Sequence, residues 1–147
     1  MLNFLHSKKN RDTITCLREF VSLFNTTEKK DCSGTSFVLI TNSIPDRILK
    51  EMCIKDRTQF EAIENHVHLI EGLSRSEFLE LYDLTLDICK VLVSILKYRY
   101  PDRCFYVYAS ASTNDDLVLR FHQKWDKEEP YMNPEKTKTG WTIRIIE

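Results

Sequence analysis

A long amphipathic helix constrains the fold of this chain more than any other segment. Ser74 and Glu77 complete a capping box, in which the two side chains satisfy backbone N–H groups at the start of a helix. Pro101 ends the helix, because the residue before a proline is pushed towards extended geometry. The pattern predicts a helix over about 75–99, roughly 40 Å long at about 1.5 Å per residue, on which a sheet packs. Its predicted apolar face contains Phe78, Leu81, Tyr82, Thr85, Ile88, Cys89, Leu92, Val93 and Leu96.

The last third of the chain has the composition of an antiparallel sheet. Aromatic and β-branched residues fill Arg103–Ser110, Leu117–Trp125 and Trp141–Ile146, and polar turns separate these runs, which is typical of a small antiparallel meander. Side chains alternate along a strand, so one face of the second strand carries Leu117, Leu119, Phe121, Gln123 and Trp125. The opposite face is mostly polar, and we expect it to face solvent; it carries Val118, Arg120, His122 and Lys124.

The N-terminal half alternates short helical and extended patterns. Ile14, Leu17, Val21 and Phe24 recur at helical spacing, with Phe20 widening the stripe, and predict a helix over about 12–25. The following segments are predicted as a polar loop over 26–35, a buried strand over Ser36–Thr41, a helix capped by Ser43 that ends near Cys53, helical turns over Asp56–Asn65 and a short strand over Val67–Ile70.

These patterns predict a single α+β domain that spans residues 1–147. A chain of 147 residues fits one domain and can bury a proper core. We expect a mixed sheet, with its antiparallel meander at the C-terminal end, packed against the long helix at about 75–99 and the N-terminal helix.

The cysteines and the N-terminal residues indicate the cellular compartment of the protein. Five cysteines form an odd number without a C-x-x-C pair, and Cys16 and Cys89 fall on predicted apolar helix faces. Free thiols in a reducing environment are the simplest interpretation. The first residues do not have the order or length of a signal peptide, and no segment reaches the ~18 apolar residues of a membrane span. We therefore expect a cytoplasmic protein with no membrane association.

Charge and glycine content exclude several functions. The net charge of −1 argues against broad nucleic-acid binding, and Lys8, Lys9 and Arg11 form only a small basic cluster. The chain contains three glycines, which excludes the G-x-G-x-x-G and Walker A phosphate loops. No cofactor is expected.

The histidines suggest two kinds of site. His66 and His68 would project from one face of a strand, a spacing used in metal sites, with His122 as a third ligand. The alternative, two exposed histidines on an edge strand, leads us to predict no metal. His122 could also act in general acid–base chemistry with a nearby carboxylate, which would make the protein a small hydrolase or transferase; the alternative is a polar outer sheet face.

The segment after the second C-terminal strand is the candidate binding surface. Residues 126–140 form a long loop with two prolines, and loops of this length in compact domains are often functional. Aromatic residues are enriched in interfaces, and acidic side chains complement a basic partner. Solvated loop acids and tryptophans that only cover the sheet are the alternative. The candidate partner-binding residues are His122, Trp125, Asp126, Glu128, Glu129 and Tyr131.

The segment Leu119–Pro134, which follows a long helix and a β-hairpin, resembles parts of small bacterial immunity proteins of polymorphic or contact-dependent toxin systems. The resemblance implies a cytoplasmic, single-domain α+β protein that neutralises a toxin domain by occluding its active site or an exosite. Our prediction is such a protein-binding module rather than an enzyme. The alternatives are the His122 enzyme and a structural subunit that homodimerises through an open sheet edge.

Overall fold

A four-stranded antiparallel sheet packed against one long helix forms the centre of the fold. The computed structural model describes residues 15, 17–18, 20–70, 75–111, 116–136 and 141–147. Helical residues 15, 17–18 and 20–22 precede the regular elements. These are β1 (Thr26–Lys30), β2 (Ser36–Ile40), α1 (Asp46–Leu49), α2 (Arg57–Glu64), β3 (His66–Ile70), α3 (Arg75–Arg99), β4 (Phe105–Ala111), β5 (Leu117–Gln123), a 3₁₀ turn (Pro134–Lys136) and β6 (Trp141–Ile146).

The predicted α+β class and the helix over 75–99 are confirmed. The inner side of α3 packs its buried residues on one face of the sheet, among Phe105, Val107 and Phe121. Among the side chains of α3 that the structure describes, the buried ones are Thr85, Cys89, Leu92, Val93 and Leu96. Ser74, the predicted cap of this helix, lies outside the described residues. Among the residues described, no helix combines the length and apolar character that crossing a bilayer needs.

The strand order differs from a single mixed sheet with a meander. The order is β3-β5-β4-β6, and every pairing is antiparallel. The strand β3 borders β5, so the long connection after β5 carries β6 to the far edge of β4. The strand β2 belongs to a separate two-stranded sheet with β1. Because strand pairing joins distant segments, local sequence patterns did not reveal this order.

The predicted polar loop over 26–35 is largely a strand and its hairpin turn. Thr26–Lys30 pairs with the buried strand β2, which supplies the backbone partners that an isolated polar segment lacks. The Asp31 carboxylate accepts hydrogen bonds from the Ser33 and Thr35 N–H groups at 2.9 and 3.0 Å, and Gly34 takes a positive φ of 82°. The turn chemistry was present in the sequence, but the strand before it was missed.

The N-terminal helical residues and α1 also depart from the prediction. Phe20 and Phe24 pack against the core as expected, whereas Leu17 and Val21 are exposed and Leu23, outside the predicted stripe, is buried. Ser43 does not cap α1: Pro45 holds the cap position, and the helix ends at Leu49. After Leu49 the chain leaves the helix and reaches Cys53, which forms a disulfide bond.

Cys32 and Cys53 form a disulfide with a Cα–Cα distance of 5.6 Å. The expectation of free thiols is therefore wrong for these two residues, while Cys89 and Cys104 are free. The two bonded cysteines are 21 positions apart. Only the packing of the β1–β2 turn beside the end of α1 brings them together, which is why the cysteine count alone did not reveal the bond.

We expect peptides containing Cys32 and Cys53 to remain linked after alkylation of the denatured, unreduced protein. Mass spectrometry of a proteolytic digest would detect the linked pair. Treatment with a reductant before alkylation is the control, and it should convert both cysteines to alkylated forms. Full alkylation of both residues without a reductant would contradict the assigned bond.

Candidate functional site

The loop over residues 124–136 lies on the sheet face opposite α3 and meets the start of α2. Between them is a groove of about 570 Å³, which we call the loop–helix groove. Its lining includes Lys55, Asp56, Gln59, Glu129, Pro130 and Tyr131. Three of the predicted partner-binding residues, Glu128, Glu129 and Tyr131, therefore lie on one concave surface.

Glu128 attaches this loop to α2. Its carboxylate accepts a hydrogen bond from the Thr58 backbone N–H at 2.7 Å and pairs with Arg57 Nε at 2.5 Å. Burial opposes ionisation, but the hydrogen bonds from Arg57 and Thr58 hold the pKa of Glu128 below its ordinary value. Free backbone N–H groups and the helix dipole favour a carboxylate at a helix start. Glu128 thus positions the loop, and its predicted contact with a partner stays a prediction.

Trp125 is a second attachment point. Its indole N–H donates to the Glu61 carboxylate at 3.0 Å, and its ring packs against Phe37 with centroids 5.5 Å apart. The Arg57 guanidinium lies over the Trp125 ring, 4.7 Å from its centroid, and makes a favourable cation–π contact. The half-buried Trp125 thus fixes the start of the loop, although part of the ring stays accessible.

A buried polar pair, formed by Glu61 on α2 and by Asn65 at its C-cap, was missed in the sequence and supports this arrangement. Glu61 accepts hydrogen bonds from the N–H groups of Val38 and Gln123 and from the Gln123 and Trp125 side chains. Asn65 accepts from Ile40 N–H and donates to Val38 C=O, at 2.9 and 2.8 Å. The two side chains therefore bond the backbone N–H and C=O groups on the unpaired edge of β2, as a neighbouring strand would.

Burial raises the pKa of Glu61 to about 7, although its hydrogen bonds act in the opposite direction. Glu61 and Asn65 are four residues apart and so share one side of a helix. This spacing was the available sequence signal. Without knowledge of β2 as a neighbour, it resembles an ordinary solvated helix face.

His122 does not face solvent, in contrast to the prediction. Its side chain is 1% exposed, because the loop covers this part of the sheet. Nδ1 lies 2.6 Å from the Gln123 carbonyl oxygen, which can only accept, so Nδ1 carries the proton. Nε2 lies 3.1 Å from the Tyr108 hydroxyl, and burial lowers the pKa of the imidazole. Both ring nitrogens are thus engaged by groups other than a carboxylate.

Three predicted residues remain available at the surface. Asp126 and Glu129 are exposed, and Tyr131 is half-buried with the Arg120 guanidinium 5.1 Å from its ring centroid. The Tyr131 N–H points to His122 Nε2 at 3.4 Å, so His122 supports the position of Tyr131 from below. Lys127 takes a positive φ of 65° at the turn between the two acids.

The two strand histidines have other partners. His68 Nδ1 pairs with Asp116 at 2.7 Å, and the His66 ring contacts the Ile63 carbonyl oxygen. Within the described ranges, no cluster of three or more His, Cys, Asp or Glu side chains is arranged to hold a metal ion.

Comparison of the chain with known protein families, with curated proteins and with solved structures finds no match in any of the three. The function is therefore argued from the geometry of the loop–helix groove alone.

Proposed function

We propose that the protein is a binding module of the immunity type, which neutralises a toxin domain by covering its active site or an exosite. The observation that supports this proposal is the construction of the loop. Trp125, Glu128 and Tyr131 attach it to the buried framework, while Asp126 and Glu129 between them project into solvent.

A loop held in this way suits tight binding. Association normally costs free energy because interface side chains and loops lose freedom, and a pre-organised loop avoids part of that cost. The acidic pair would attract and orient a basic surface, and the accessible edges of Trp125 and Tyr131 would provide aromatic contacts of the kind that dominate binding energy. Blocking of the partner would be steric and electrostatic, and no covalent chemistry is required.

A cytoplasmic location belongs to this proposal and remains a prediction. The cysteine argument for it no longer holds, because disulfides such as Cys32–Cys53 persist mainly in oxidising compartments. Fractionation of the native cell would decide the location independently of the binding test.

Reversing the charge of the exposed acids should abolish partner binding. The test compares tagged wild type with the double variant Asp126→Lys and Glu129→Lys as baits in native lysate. We expect a stoichiometric partner on the wild type and at least a tenfold loss of binding in the variant, because both attraction and fit are removed. The double variant Glu51→Lys and Asp102→Lys, with the same charge change at exposed positions away from the groove, should bind normally.

The captured partner then tests the immunity role itself. Expressed alone it should arrest growth of the host cell, and co-expression with the wild type, but not with the loop variant, should restore growth. A partner that is harmless alone would contradict the immunity role. Equal binding by the two double variants would contradict the assignment of the surface.

A further inference from the structure

The outer side of α3 carries a second apolar stripe, which faces away from the sheet. Leu84, Val91 and Tyr98 recur every seven residues and are 57%, 53% and 88% exposed. Leu81, Ile88 and Ile95 lie half-buried beside them. Together the six positions alternate in steps of three and four residues. This is the heptad pattern of a helix that packs lengthwise along another helix.

The three exposed residues of the stripe take no part in the core of the described fold, whereas Leu81 and Ile88, at the border of the stripe, also pack against it. The neighbouring side of α3, through Cys89 and Leu92, fills the core against the sheet. A contiguous exposed apolar patch of this kind marks an interaction surface. Tyr98 is the most exposed of the large apolar side chains, and water would otherwise surround most of its ring.

The charges along α3 indicate which partner would pack on the apolar stripe. From Glu77 to Arg99, all acidic residues precede Ile88 and all basic residues follow it, and Arg75 at the first position of α3 is the exception to this segregation. A second copy of the same helix in antiparallel orientation would place each acidic half against a basic half. A parallel copy would align like charges, which is unfavourable. The acidic residues are Glu77, Glu80, Asp83 and Asp87, and the basic residues are Lys90, Lys97 and Arg99.

We propose that two copies of this chain associate through antiparallel packing of α3 about a two-fold axis at Val91. Val91 is midway between Leu84 and Tyr98, so Val91 meets its own symmetry copy and Leu84 meets the Tyr98 of the second copy. On the flank of the stripe, position 97 of the second copy comes level with position 85. Position 97 is therefore level with the interval between Asp83 and Asp87, and within its own chain the Lys97 ammonium group donates to the Pro101 and Arg103 carbonyl oxygens. Such an interface is self-complementary, as a two-fold axis requires.

This dimer leaves the loop–helix groove accessible. The helix α3 packs on the sheet face that contains Phe105 and Val107, whereas the loop covers the opposite face around Tyr108 and His122. The inference is thus independent of the proposed immunity function. It would give one assembly two binding surfaces on opposite outer sides.

Sedimentation equilibrium of the full chain tests the association. We expect a concentration-dependent dimer, and we expect Val91→Glu to raise its dissociation constant at least tenfold, because two carboxylates would meet at the axis. Val21→Glu is the matched control: Val21 is also helical and 53% exposed, and its variant should dimerise like the wild type.

Cysteine cross-linking tests the orientation. Oxidised Val91→Cys should form a covalent dimer, whereas Leu84→Cys should not, since the two copies of position 84 lie about 21 Å apart in the antiparallel arrangement.

A monomer at all concentrations would overturn the proposal, as would a dimer that Val91→Glu leaves unchanged. A monomer that Val91→Glu destabilises would indicate that another segment of the same chain covers the stripe, and it would also overturn the proposal. Self-linking of Leu84→Cys would exclude the antiparallel orientation.

Discussion

Glu61→Ala is expected to lower the free energy of unfolding by about 3–5 kcal/mol at pH 5.5. Four N–H donors, from Val38, Gln123 and Trp125, converge on this buried carboxyl group. Removal of the side chain leaves these donors without a partner in a site that excludes water, and it also leaves a cavity. The loss should be seen as a lower urea midpoint at an unchanged slope.

Two variants define the specificity of this effect. Glu61→Gln keeps the size of the side chain but replaces an accepting oxygen by an NH₂ group that faces other donors, so we expect a loss of about 1–3 kcal/mol. Glu51→Ala, at an exposed position before α2, should change stability by less than about 0.5 kcal/mol. If Glu61→Ala cost no more than Glu51→Ala, the proposed role of Glu61 in joining β2 to the end of β5 would be wrong.

The stability difference between wild type and Glu61→Gln should fall as the pH rises from about 4.5 to about 7. The pKa of Glu61 is raised from the ordinary 4.5 to about 7 by burial, so the folded protein binds its proton more tightly than the unfolded chain. The resulting stabilisation is complete below pH 4.5 and is lost as the pH passes 7. The shift corresponds to about 3 kcal/mol.

Urea unfolding of both proteins at several pH values between 4 and 8 measures this difference. Contributions from other titrating groups, such as Glu64 with its raised pKa, occur in both proteins and cancel in the comparison. A difference that stays constant with pH would show that Glu61 ionises at the same pH in the folded and unfolded states.

Glu61 also connects stability with the proposed function. It holds the Trp125 indole, and Trp125 is where the exposed loop begins. We therefore expect the shape of the loop–helix groove to depend on this buried carboxyl group, which no partner would touch. Variants of Glu61 are unsuitable for mapping the binding surface for this reason, whereas Asp126 and Glu129 can be changed without loss of a buried contact.

The loop of the candidate site is recognisable in the sequence as a long segment rich in aromatic and acidic residues, and its role as a binding surface stays a prediction. The positions of its side chains were not recognisable: Trp125 and Glu128 face inward to α2, and His122 is buried beneath Tyr131. Alternation along β5 assigned His122 to an outer face, and only the tertiary structure places the loop over that face.

Elements with local signals could be predicted from the chain alone. The 75–99 helix follows from apolar periodicity and the proline at 101, and the extended character of β4, β5 and β6 follows from their side chains. Features that need a distant partner could not be predicted in this way: the polar strand β1, the strand order, the Cys32–Cys53 bond and the burial of Glu61. The physical reason is that backbone pairing, disulfides and buried hydrogen bonds depend on which residues meet in space, whereas periodicity depends only on neighbours along the chain.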